Sequence, residues 1–126
     1  MKIAVVTGDH GFEEDKFDAV FENMDGIEFV REDLAVFVND PDRNNYEAVV
    51  FYNFHQQNPD PKTAEAILSL ADTGQGLVIL HHAILAFPKW KEFADLCGIQ
   101  ERGFGFSDGE NISVHVADNS HSITAG

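Results

Sequence analysis

Leu77 to Leu80 is an uninterrupted apolar run that begins just after Gly74 and Gly76 and stops at two adjacent histidines, His81 and His82. A short apolar run punctuated by glycine reads as a buried strand, and a polar pair at its mouth restricts the fold to one whose strand ends open onto something polar. Lys2 to Thr7 (KIAVVT) before Gly8, Ile27 to Arg31, and Glu47 to Tyr52 (EAVVFY) read as further strands. Between them the spacing becomes helical. Phe17, Val20, Phe21 and Met24 form one stripe, so Glu13 to about Met24 is an amphipathic helix with acidic residues in its first turn, where the helix dipole favours them. Asp60 as N-cap and Pro61 at the first position announce a second helix, with Ala64, Ile67, Leu68 and Ala71 inward and Gly74 at its end. Pro88 can open a third, with Trp90, Phe93, Ala94 and Cys97 on one face and Gly98 at its C-terminus. Leu34 to Val38 lies between Asp33 and the turn-rich Asn39-Asp40-Pro41-Asp42, and is compatible with a strand, a short helix or a packed loop. Ile112, Val114 and Val116 alternate with Ser113 and His115, the pattern of a half-exposed strand near a sheet edge with His115 towards solvent.

Strands alternating with helices imply an α/β fold: parallel strands, right-handed crossovers and helices on both faces of the sheet. With 126 residues and 44% hydrophobic content the chain has material for one core, so residues 1–126 read as a single domain. Ligands of such sheets bind beyond the carboxyl ends of the strands. Three of those ends are polar here: Asp9 and His10, Asn53 and His55, His81 and His82. If the strands take the usual doubly wound order, the three loops meet over one crevice. Asp9 could instead cap the first helix, and His55 could be plain loop surface. The His81–His82 pair is the stronger signal, because polar rings beside a buried strand are costly unless hydrogen-bonded or used.

Imidazole offers acid–base work near neutral pH and ligation of a divalent metal such as zinc. His81 or His82 is the expected acid, base or metal ligand, with Asp9 and His10 orienting or co-ligating. No HExxH or CxxC spacing accompanies them. Cys97 lies on an apolar helix face, and Gly103-Phe104-Gly105 reads as a flexible surface turn.

Twenty-two acidic against eight basic residues give a net charge of -14, which repels phosphate backbones and anionic lipid, so neither nucleic acid nor membrane is an expected partner. One cysteine cannot form an internal disulfide, and no signal peptide or long apolar span is present, so the expected location is cytoplasmic.

The run GQGLVILHHAILAFPKWKEFADLCG resembles the ThuA-like trehalose utilisation family, with its Gly-rich turn, apolar strand, Leu-His-His-Ala element and following Trp. VADNSHSITAG at Val116 to Gly126 resembles that family's Ala-Asp-x-x-His-Pro-Ile-Thr-x-Gly segment, with Ser122 in place of the proline, and Val6 to His10 and Val50 to Asn53 resemble its first and third strand ends. The resemblance implies a flavodoxin-like three-layer sandwich of the class I glutamine amidotransferase kind, C-terminally short in this chain. On that superfamily's nucleophile elbow His81 replaces the cysteine and Ala83 is the small residue two positions on, whereas Ile79 departs from the glycine two positions before. Without the thiol, amide hydrolysis through a thioester is not implied. The resemblance implies a small sugar-related ligand, adds His121 to the ligand-binding set of Asp9, His10, Asn53 and His55, and makes His10, His81 and His121 the candidate metal set. Two rival expectations remain: a non-enzymatic module that dimerises through a sheet edge, and a hydrolase using histidine-bound metal water.

Overall fold

In the computed structural model, which describes residues 1–105 and 107–125, strands and helices alternate from the N-terminus. The order is β1 (Lys2–Gly8), α1 (Glu14–Glu22), β2 (Glu28–Asp33), α2 (Leu34–Asn39), β3 (Ala48–Asn53), α3 (Pro61–Thr73), β4 (Gly76–Ile79) and α4 (Lys91–Cys97). Short 3-10 turns at Arg43–Asn45 and His81–Leu85 precede β3 and follow β4. The strands form one parallel sheet in the order β2-β1-β3-β4. Gly8 pairs with Asn53 and Phe51 with Ile79, so the carboxyl ends of β1, β3 and β4 lie along one edge.

Successive residues of a strand face opposite sides, and here each side has its own core. Ala4, Val6, Val49 and Phe51 pack with Leu34, Phe37, Ile67, Leu70 and Phe93 under α2, α3 and α4. Ile3, Val5 and Val50 pack with Phe21 and Phe17 of α1. Helices therefore cover both faces, as the alternation requires. The stretch left open by its sequence, Leu34 to Val38, is helix: Asp33 caps it by accepting from the Ala35 N–H at 2.8 Å, and Leu34, Phe37 and Val38 turn inward at helical spacing. In α3 the Asp60 carboxylate accepts from the Lys62 and Thr63 N–H groups, Pro61 opens the first turn, and Gly74 ends it at φ 77°.

Three expectations are corrected. The fourth strand is not buried: β4 pairs with β3 alone, and Val78 and Leu80 are 47% and 37% exposed. Its apolar run reflects one packed face, Leu77 and Ile79, while α1 does not reach far enough across the sheet to cover the other. Ile112 to Val116 is not a strand, and Ile112 and Val114 stand 86% and 85% exposed. Alternation makes a strand only where a neighbour shares its ladder, and among the described residues nothing pairs with that segment. His115 is exposed as expected, without the strand. Helix α4 starts at Lys91 with Trp90 as its cap residue, leaving Pro88 in the preceding bend. Among the described residues no helix is long and apolar enough to cross a membrane.

Candidate functional site

The strand register places the site. β1 ends at Gly8, held at φ 140°, and a Cβ there would stand 2.7 Å from His55 Cε1 and 2.8 Å from Asp33 Oδ2. The absence of a side chain thus lets the β2 and β3 ends close around β1. The chain then turns through Asp9 at φ 53°, and His81 repeats the conformation after β4 at φ 54°. Left-handed backbone at a residue other than glycine is uncommon and gathers at functional turns, although Asp and His tolerate it better than most.

Those two turns deliver three imidazoles to one place. The rings of His10 and His82 have centroids 4.0 Å apart, and those of His81 and His82 3.9 Å. Tyr52 and Phe54 meet His10 edge-on, and Phe54 also meets His82. Within this aromatic collar His10 Nδ1 and His82 Nδ1 are buried and have no hydrogen-bond partner among the described residues, and the same is true of Oδ1 of the fully buried Asn53. Burial, and then the neighbouring His10 and His81, push the His82 pKa below the ordinary imidazole value of 6.5. His82 is therefore neutral at neutral pH, with one ring nitrogen free to accept a proton.

His55 belongs to a second group. The Asn53 amide donates to His55 Nδ1 at 3.1 Å, which leaves the proton of the neutral ring on Nε2, 3.9 Å from Asp9 Oδ2. Its ring lies parallel to that of Phe87, and it borders a hollow of about 240 Å³ with Asn58, Asp60 and Thr63. The single crevice expected from sequence is thus divided: His10, His81 and His82 on one side, Asp9, Asn53 and His55 on the other.

His121 joins neither. It is exposed in its own turn, where its Nδ1 accepts from the Ile123 N–H at 3.2 Å, and it has no ring contact with another histidine. The expected metal set of His10, His81 and His121 is not assembled, and among the described residues no three His, Cys, Asp or Glu side chains are arranged to hold an ion. Cys97 packs against the core, and burial pushes its thiol pKa up, as suits a structural residue.

Two residues that the sequence reading passed over border the histidines. Phe104 and Leu85, with Gly105, close a pocket of about 290 Å³ against His81 and His82. A larger, more open hollow of about 600 Å³ lies along α2, but its lining of Glu32, Ala35, Val36, Asn39 and Asp40 offers no imidazole and no positive charge. Of these two hollows, only the smaller is lined by imidazoles. No family model, curated protein or solved structure matches the chain.

Proposed function

We propose that the chain is a ThuA-like domain of the class I glutamine amidotransferase-like kind that binds a small sugar-related ligand and acts on it by acid–base chemistry. The sugar-related ligand is what the resemblance implies, and the observation that supports acid–base chemistry is the cluster of His10, His81 and His82 at the strand ends, in which His10 Nδ1 and His82 Nδ1 are unpartnered among the described residues. Such atoms cost stability, by about 1–3 kcal/mol each, unless something polar meets them. Hydroxyl groups, which donate and accept, suit neutral imidazole nitrogens. The strand order β2-β1-β3-β4 is that of the first four strands of a flavodoxin-like sheet, whose ligands lie where β1 and β3 diverge. The left-handed turn at His81, straight after a strand and ahead of a helical turn, supports the elbow-like placement. In this reading neutral His82 is the candidate base towards a ligand hydroxyl, with the exposed His81 beside it at 3.9 Å between ring centroids. Metal-bound water has no part in this reading, because among the described residues no donor set of three is arranged for an ion.

The test is a histidine-ring nitrogen NMR spectrum recorded while glucose, glucosides and trehalose are added. Saturable shifts at His10, His81 and His82, lost in His82→Ala, are expected. If the spectra stay unchanged with every sugar, or if His81→Ala and His82→Ala bind as the parent does, the site is wrongly placed.

One observation favours a second reading, a non-enzymatic module that associates through its sheet edge. The outer edge of β4 has no partner among the described residues, and Val78 and Leu80 are exposed beside it. An open edge with apolar neighbours is a template for pairing with a second copy. Sedimentation velocity at several concentrations would show a dimer that Val78→Asp dissociates. A monomer at every concentration removes this reading.

A further inference from the structure

The histidine pocket has a wall that the proposed chemistry does not use. Besides His81 and His82 the pocket is lined by Leu85 and the ring of Phe104, which is 66% exposed although it borders a concavity. Its place is set from two residues back. Arg102 Nη1 donates to the carbonyls of Ile84 at 3.2 Å and Ala86 at 2.7 Å, and Nη2 to those of Phe87 at 3.0 Å and Trp90 at 3.5 Å. The same guanidinium lies over the Phe93 ring at 5.6 Å. A planar, five-donor group is the one side chain that can tie four carbonyls of one loop together. That loop begins at His81, so Arg102 fixes the segment carrying Phe104 to the segment carrying the histidines. Among the described residues Phe104 has no aromatic partner, in contrast to Phe87, Trp90 and Phe93, which pack on one another.

We infer that Phe104 is a specificity-determining residue, the platform on which the C–H face of a saturated sugar ring rests while its hydroxyl edge meets His81 and His82. The inference rests on the reading of the histidines as a sugar-related site and adds the shape of the ligand. A pocket of about 290 Å³ lies at the small end of ligand sites, which suits a single ring. One polar wall and one apolar wall select a ligand with the same division, and a pyranose has it: hydroxyls around the rim and C–H groups on a face. An open-chain polyol offers the same hydroxyls without the face.

The experiment compares methyl β-D-glucopyranoside with D-sorbitol as probes on the full chain, titrated by NMR against the parent, Phe104→Ala, Phe104→Tyr and His82→Ala. Fluorescence of Trp90, the single tryptophan, reports that each variant is folded. The parent is expected to prefer the ring. Phe104→Ala should lose that preference, weakening glucoside binding about threefold to tenfold, as expected for a contact of aromatic-pair strength, while leaving sorbitol unchanged. Phe104→Tyr should restore it. Equal glucoside binding by the parent and Phe104→Ala, with loss in His82→Ala, would overturn the platform and leave the histidine site standing. Absence of glucoside binding by the parent would overturn both.

Discussion

Gly8→Ala is expected to be among the most damaging single substitutions in the chain and to be felt at the candidate site. The backbone at Gly8 is held at φ 140°, where a side chain is strained at a cost of about 1–3 kcal/mol. The new methyl would also lie 2.7 Å from His55 Cε1 and 2.8 Å from Asp33 Oδ2, and overpacking of that kind adds about 1–3 kcal/mol. Neither neighbour can withdraw freely. Asp33 caps α2, and His55 is held by Asn53 and stacked on Phe87. Chemical denaturation of Gly8→Ala beside Gly11→Ala isolates the effect, since a Cβ at Gly11 meets nothing within 4 Å. Gly11→Ala should behave as the parent, whereas Gly8→Ala should unfold at a much lower denaturant concentration and shift the His55 resonances. Two variants of equal stability would mean that the strand ends do not close around β1 as described.

The order of elements was legible because each carries its own local signal. Asp60-Pro61 and Gly74 bracket α3 in sequence as they do in space, and the β-branched runs at Lys2 and Ala48 are the inner strands β1 and β3. What misled was burial and pairing, which no window of sequence contains. Leu77 to Leu80 has the composition of an inner strand, yet its exposure is set by what stands on its far side. Ile112, Val114 and Val116 have the alternation of a strand without a ladder. Leu34 to Val38 could be settled only by Asp33, whose carboxylate reaches the N–H of Ala35 and so selects helix among three conformations of similar local cost.

The candidate site was legible to the extent that parallel topology brings strand ends together. Polar residues directly after β1, β3 and β4 had to lie near one another, and His10, His81 and His82 do. Their division from His55 was not readable, since it depends on which way the Asn53 side chain points. Phe104 and Arg102 escaped because Gly103-Phe104-Gly105 has the composition of a loose turn. The one available signal was an arginine immediately before it in a chain with few cations, since a scarce, multiply donating side chain beside glycines is well suited to gather loop carbonyls.

The titration of His82 should separate the half-buried His82 from a surface histidine. Its folded-state pKa is lowered, first by burial and then by the neighbouring rings of His10 and His81, while in the unfolded chain it takes up its proton near 6.5. Above that pH both states are neutral at His82 and the group is without penalty. As the pH falls through 6.5 the unfolded chain binds the proton first, so the folded state loses stability until the pH passes below the folded pKa, where the loss levels off. His82→Gln cannot titrate. The stability of the parent relative to this variant should therefore shrink between pH 8 and pH 5, and the His82 ring should titrate below 6.5 by NMR. Ligand affinity carried by the neutral ring should follow the same lowered pKa, so binding should persist at mildly acidic pH, where an ordinary imidazole is largely charged. If the difference between parent and variant were flat over that range, or the ring titrated at 6.5 or above, His82 would be a solvated residue, and a neutral base at the end of β4 would have no physical support.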